Sequence, residues 1–258
     1  MVQDKPLTWL QHFEDLRRTL IVCLIALMIA TFGCFFFSDF FLSLLRRPID
    51  QLGLNLIFIG VTEGFFTKIK VALYAGLVVS FPVIAWQVWR FIVPALYPNE
   101  RRYILTLVPV STLLFVAGVV FAYYTVFPVM MRFLLQISGE LQPFITVSQY
   151  VSFCISFLIP FGLIFELPVF SMFLTRIGLI TPQWLRAKRR YALLLFFIVG
   201  AVLTPSPDPI SQCLMALPMY VLYEASIIVS RFTRAKKEAR QKEEEEDLSS
   251  DIDDISME

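Results

Sequence analysis

The residues best suited to chemistry in this sequence are a few acidic side chains beside long apolar stretches. Glu14 and Asp15 precede the first apolar run, and Glu100 lies in the polar segment ALYPNERR (95–102) between two others. Arginine pairs with a carboxylate through a planar, two-bonded fork that lysine cannot reproduce. Two carboxylates held at one membrane surface would therefore suit a ligand that carries two guanidinium groups.

A purely structural role for these acids is also open. Glu100 follows Asn99 at the predicted start of a helix, where the helix dipole stabilises an acid by about 0.3–1 kcal/mol. Glu14 can pair with Arg17 or Arg18 along a helix, and Asp15 with Arg18, for a few tenths of a kcal/mol each. The residues alone do not choose between pairing and ligand binding.

A further acid, Glu166, lies inside an apolar run that is predicted to cross the membrane. A carboxylic acid in the hydrocarbon core costs at least about 2.5 kcal/mol on insertion scales. At 100° per residue, Gln149, Ser152 and Ser156 share a polar strip with Glu166. This strip predicts contact with protein or water, and both a protonated packing residue and a contact to a partner or substrate fit it.

The sequence offers little to an enzyme, a metal or a cofactor. It has one histidine, His12, and its four cysteines lie within apolar runs without a paired spacing. It lacks the HExxH, GxSxG and P-loop motifs. We therefore predict a protein that is not an enzyme and needs no cofactor or metal.

The elements that carry these residues are predicted to be membrane helices. Of the 258 residues, 57% are hydrophobic and 17% are charged, whereas soluble domains are usually about a quarter charged. The apolar runs lack the alternation of barrel strands, so their backbone must bond internally as helix. The predicted fold class is all-α and polytopic, with spans near 19–37, 62–90, 103–127, 149–175, 191–203 and 210–224.

The predicted organisation is a six-helix membrane domain over 1–230, followed by a charged, disordered tail over 231–258. An amphipathic segment at 4–18 predicts an interfacial helix before the first span. Pro128 is predicted to close the third span before a long loop, and the last two spans are short. With the N-terminus inside, 17 Lys and Arg residues fall on inner segments and five on outer ones, which predicts that both termini are cytoplasmic.

Five sequence segments together resemble the TatC family, the membrane core of the twin-arginine protein translocase. They are HFEDLRRTL (12–20), FPVIAWQVWRFIVPALYPNERR (81–102), FELPV (165–169), VLTPSPDPISQ (202–212) and LPMYVLYE (217–224). The resemblance implies a receptor for signal peptides that exports folded proteins across the bacterial cytoplasmic membrane. It also implies six helices in a concave cup, with both termini in the cytoplasm.

The resemblance implies roles for individual residues. The acids that bind the twin arginines of signal peptides would be Glu100 and Asp15, or Glu14 beside it, since the family usually has Glu at the first position. Arg17, Phe91 and Pro94 fall near the recognition surface, and Pro48 falls in a functional outer loop. Glu166, Thr204 and Gln212 match polar positions where the single-span partners TatA and TatB dock, in a complex expected to be homo-oligomeric.

A different class of function stays open from the residues themselves. A proton- or cation-coupled secondary transporter of a small solute would use Glu166 as its ion site. Such transporters are built from inverted repeats, and the sequence shows no convincing internal repeat.

Overall fold

The computed structural model describes residues 9–96, 102–137, 144–203 and 209–256. These residues are almost entirely helical, in the chain order α1 Trp9–Phe36, α2 Ser38–Asp50, β1 Leu56–Ile57, α3 Glu63–Leu96, α4 Arg102–Phe121, a π-helical turn Ala122–Val126, α5 Phe127–Ile137, β2 Ile145–Thr146, α6 Val147–Ile164, α7 Leu167–Arg176, α8 Pro182–Ala187, α9 Arg189–Leu203 and α10 Pro209–Ser256. The prediction of an all-α fold is confirmed.

Five stretches of the described chain are long and apolar enough to cross a membrane, judged by length and composition. They are Phe13–Phe36, Glu63–Ile92, Leu105–Ile137, Val147–Arg176 and Gln212–Ala235. Many of their large apolar side chains point outward, including Met28, Phe32 and Leu113, each more than 60% exposed. An apolar exterior of this extent suits a lipid solvent and confirms a polytopic membrane protein.

Several helix boundaries differ from the sequence predictions. Helix α1 runs unbroken from Trp9 to Phe36, so residues 9–18 are continuous with the first span, and residues 4–8 of the predicted interfacial helix lie outside the described residues. Helix continues past Pro128 to Ile137, because the wider π turn just before Pro128 accommodates the proline ring. Helix α10 passes through Pro218 and the charged tail to Ser256, so the final helix is longer than predicted.

A two-residue turn at 165–166 interrupts the helix of the fourth predicted span. Helix α6 ends at Ile164 and α7 begins at Leu167, with Pro168 in its first turn. The chain also divides into two compact units between Leu163 and Ile164. Glu166 is therefore the N-cap residue of α7.

Close contacts between α3, α4 and α6 form the core of the first unit. The ring of Phe115 stacks on that of Phe81, with centroids 3.6 Å apart. Gly162 leaves room for this stack, since a Cβ atom there would lie 2.7 Å from the Phe115 ring. Nε1 of the buried Trp89 donates a hydrogen bond to Oγ of Ser111 at 3.0 Å. Aromatic stacking and one buried polar bond thus hold three membrane helices together.

Candidate functional site

The described residues among the predicted recognition residues lie on a close pair of helices, α1 and α3. A Cβ atom on Gly76 would lie 2.7 Å from the backbone of Thr31, so the glycine lets the two helices approach closely. Nζ of Lys68, near the start of α3, lies 2.7 Å from Oδ1 of Asp39, just after the end of α1. The end of one helix therefore meets the start of the other, and the pair is antiparallel.

This antiparallel pairing brings Asp15 and Phe91 to the same end of the helix pair. At about 1.5 Å per residue, Asp15 lies about 24 Å along α1 from Thr31. Phe91 lies about 22 Å along α3 from Gly76, in the same direction. The two residues are therefore level to within about 2 Å along the axis, and Pro94 follows in the last turn of α3.

The charged side chains on this part of α1 are exposed. Glu14, Asp15 and Arg17 all face outward, and Phe91 is half-buried on α3. Among the residues that the structure describes, no ion pair joins Glu14 or Asp15 to a basic side chain. The intrahelical pairs considered from the sequence are thus not formed. Among the described residues both carboxylates are exposed and unpaired, and because they are adjacent they point about 100° apart.

Two of the predicted site residues, Glu100 and Thr204, lie outside the described residues. The distance between Asp15 and Glu100, on which the two-carboxylate hypothesis depends, is therefore not given by the structure. No group of three His, Cys, Asp or Glu side chains in the described ranges could hold a metal ion.

The remaining predicted residues of the second unit, Glu166 and Gln212, lie at different depths. Oγ of Ser171 bonds the Ser226 carbonyl at 3.1 Å, and the hydroxyls of Thr175 and Ser230 lie 2.6 Å apart. These two contacts show that α7 and α10 run parallel. Counting back along each helix, Glu166 and Gln212 differ by about 13 Å in height. Glu166 is buried, only 5% exposed, and Gln212 is half-buried beside Gly200 of α9.

At the other end of the α1–α3 pair, the structure shows a polar cluster that the sequence did not single out. The Glu63 carboxylate accepts the backbone N–H groups of Ile59, Gly60 and Ser148 at 2.9, 3.4 and 3.1 Å. Three donors and no competing acceptor suit a carboxylate, which only accepts. Nζ of Lys70 donates to the hydroxyls of Ser148 and Ser152, both at 3.2 Å. These bonds join the start of α3 to the start of α6.

Above this cluster, two short strands pair in parallel, with Leu56 opposite Ile145 and Ile57 opposite Thr146. Pro48, the predicted functional residue of this region, lies inside the neighbouring helix α2 and is half-buried. Two tyrosine hydroxyls reach α2 close to it, from Tyr123 and Tyr150. No local motif marks these tyrosines, because their contacts join residues 79 and 105 positions apart in the sequence.

Comparison with known proteins matches most of the chain. Residues 11–218 fit the profile of the family described as Sec-independent protein translocase protein (TatC). The chain is 46% identical to the TatC protein of Carboxydothermus hydrogenoformans over 92% of this chain and 98% of that one, and 40% identical to TatC of Escherichia coli over 89% and 90%. A crystal structure titled as the twin-arginine translocase receptor TatC superposes with a TM-score of 0.79, at 36% identity over 86% of this chain and 99% of that chain. The chain therefore belongs to the TatC family of Sec-independent protein translocase proteins.

Proposed function

We propose that this chain is the signal-peptide receptor and membrane core of a twin-arginine translocase, which exports folded proteins across the bacterial cytoplasmic membrane. Membership of a protein translocase family, which is not a family of enzymes, supports this function. The observation that carries it is the exposed acidic pair, Glu14 and Asp15, level with Phe91 and unpaired among the described residues. Such carboxylates suit a ligand that brings its own positive charges.

The recognition chemistry is proposed to be a fork of charged hydrogen bonds to two arginines. Asp15 binds one guanidinium group and Glu100 binds the other, while Arg17, Phe91 and Pro94 border the bound peptide. Glu100 belongs to the five-residue segment of the sequence between α3 and α4, which follows Phe91 and Pro94. Each charge-assisted hydrogen bond contributes about 1.5–3 kcal/mol.

The test is the affinity of the full-length protein in nanodiscs for a fluorescent twin-arginine peptide. Loss of one such bond corresponds to a roughly 10- to 150-fold rise in Kd for Asp15→Asn or Glu100→Gln. Glu14→Gln is the matched control, since it removes a neighbouring charge that points about 100° away. A peptide with two lysines should bind weakly to the unaltered protein.

Two outcomes would contradict this assignment. Unchanged affinity in both Asp15→Asn and Glu100→Gln would remove the carboxylates from recognition altogether. A loss in Glu14→Gln equal to that in Asp15→Asn would show that overall negative charge matters and that a specific fork does not.

The membrane arrangement is proposed to comprise six spans with both termini in the cytoplasm, in a single membrane domain over 1–230 with a cytoplasmic tail. The 15-residue α9 serves as the fifth span, and the apolar part of α10 as the sixth. At about 22 Å, α9 is shorter than a typical hydrocarbon core, so the bilayer must thin around it. Cysteines placed at position 57 and in the tail should be labelled from opposite sides, and labelling from one side would refute this topology.

The partners are proposed to be TatA- and TatB-like single-span proteins that dock at Glu166, Thr204 and Gln212 within an oligomeric complex. A polar group on a partner helix is costly in lipid, and each of these residues can offer it a hydrogen bond of roughly 0.6–2 kcal/mol. Because Glu166 and Gln212 differ in depth, they would meet different turns of one partner helix or two separate helices. Photocrosslinkers at 204 and 212 should capture a single-span protein, and capture of lipid alone would overturn the proposal.

A further inference from the structure

Helix α2 contains a proline at a position where it disrupts the backbone hydrogen bonding. In a regular helix the N–H of residue 48 would donate to the carbonyl of Leu44, four residues earlier. Pro48 has no N–H, so the Leu44 carbonyl lacks the donor that a regular α-helix would give it. Ile49 directly after it is fully buried, so this part of α2 is packed against the protein. A buried carbonyl without a donor is costly, and it requires a partner from elsewhere.

That partner is Tyr123. Its hydroxyl donates to the Leu44 carbonyl oxygen at 2.6 Å, and the side chain is only 8% exposed. The next carbonyl along, that of Leu45, accepts the hydroxyl of Tyr150 at 2.7 Å. Tyr150 is also buried and comes from a different helix, α6. Two helices therefore hold α2 by consecutive carbonyls within one turn of Pro48.

A second proline accounts for the position of Tyr123. The π turn that carries Tyr123 closes with the N–H of Phe127 bonding the carbonyl of Ala122, five residues earlier. Pro128 follows at once, and in a regular helix its ring would clash with the carbonyl of Tyr124. The wider π turn relieves that clash and rotates the helix faces by about 100° relative to a continuous α-helix. Pro128 and the π turn thereby set the direction from which Tyr123 approaches α2.

We infer that Tyr123 and Tyr150 are positioning residues that dock α2, and that Pro48 creates the acceptor that Tyr123 binds. Pro48 then removes one helical N–H donor, so that the Leu44 carbonyl can accept a hydrogen bond from outside α2. The packing part of this inference is independent of the proposed function, and only its consequence for export rests on it.

The decisive experiment is a double-mutant cycle between Tyr123→Phe and Pro48→Ala in the purified full-length protein. Tyr123→Phe alone leaves the Leu44 carbonyl without a donor and should lower the midpoint of thermal unfolding by roughly 2–10 °C. Pro48→Ala restores the helical N–H, so in that background Tyr123→Phe should lower the midpoint by less than about 2 °C. Equal losses in the two backgrounds would overturn the inference.

Tyr150→Phe provides the matched control. The Leu45 carbonyl keeps its helical donor, the N–H of Ile49, whether or not residue 48 is proline. The loss caused by Tyr150→Phe should therefore be the same in the Pro48→Ala background as in the unaltered protein, and coupling as strong as that of Tyr123 would overturn the assignment. If Tyr123→Phe fails to accumulate, adding Pro48→Ala should restore accumulation, and failure to do so would count equally against it.

Two further measurements separate local docking from general destabilisation. Hydrogen exchange should quicken in Ser38–Asp50 in Tyr123→Phe while α4 stays protected, and uniform quickening would overturn a docking role. The Tyr123→Phe protein should export less of a twin-arginine reporter than the unaltered protein. Its affinity for the twin-arginine peptide should be unchanged, because Asp15 lies at the other end of the α1–α3 pair. Unchanged export would remove the functional consequence, whereas failure of the unaltered protein to bind the peptide would refute the proposed function instead.

Discussion

Because α1 and α3 approach closely at Gly76, replacing this glycine with alanine should lower the stability of the protein. The same replacement at a helical glycine with open space around it should not. Gly76→Ala would place a methyl group 2.7 Å from the backbone of Thr31, whereas carbon atoms pack best at about 3.5–4.0 Å. Helix α1 would have to withdraw by about 1 Å, and overpacking of this kind costs about 1–3 kcal/mol. Alanine gains at most about 1 kcal/mol over glycine in helix propensity, so packing outweighs propensity.

Gly33 on α1 is the matched control, because a Cβ atom there would meet nothing within 4 Å. Gly33→Ala gains the same propensity without the clash and should be neutral or stabilising. The difference between the two variants therefore isolates the packing cost of about 1–3 kcal/mol, or roughly 2–10 °C in unfolding midpoint. The assay is thermal unfolding of the full-length protein in detergent.

The same substitution tests the link between this contact and the recognition end. Because α1 is one unbroken helix of 28 residues, a displacement at Thr31 is carried to Asp15 about 24 Å away. Gly76→Ala should therefore weaken binding of a twin-arginine peptide, while Gly33→Ala should not. Equal unfolding midpoints for the two variants would refute the packing argument, and a lower midpoint with unchanged peptide affinity would refute the mechanical link.

Three further predictions concern other contacts. Ser230→Ala alone leaves the buried hydroxyl of Thr175 without a partner and should lower the free energy of unfolding by about 1–3 kcal/mol. Thr175→Val combined with Ser230→Ala should lower it by less than Ser230→Ala alone, as measured by thermal unfolding. Glu63→Ala should speed hydrogen exchange at the amide of Ser148, and Glu63→Gln, which keeps an acceptor oxygen, should speed it less. Equal protection of this amide in the unaltered protein and both variants would show that the Glu63 carboxylate does not join α3 to α6. Gly53 has a φ of 73°, so Gly53→Ala should lower stability by about 1 kcal/mol, and an unchanged unfolding midpoint would contradict this.

The class of the protein and several element positions were accessible from the sequence because they depend on local composition. Apolar runs of about 20 residues predict membrane helices directly, and the 15-residue α9 at Arg189–Leu203 agrees with the predicted short span at 191–203. The helix ends were less accessible. Pro128 is a helix breaker in a local sense, yet helix continues past it to Ile137. The π turn before Pro128 accommodates the proline, and local helix propensity does not predict that turn.

The candidate site likewise combines features that the sequence predicts with features that only the tertiary structure shows. The acids before the first span and in ALYPNERR could be identified from the sequence, because a carboxylate beside an apolar run is itself unusual. That Asp15 is level with Phe91 followed only from the antiparallel packing of α1 on α3. The tyrosine bonds to α2 were inaccessible in the same way, since a hydrogen bond across 79 residues depends on the packing of whole helices. Local sequence patterns thus determined the apolar spans and the candidate acidic residues, and tertiary packing decided which polar groups lie in contact.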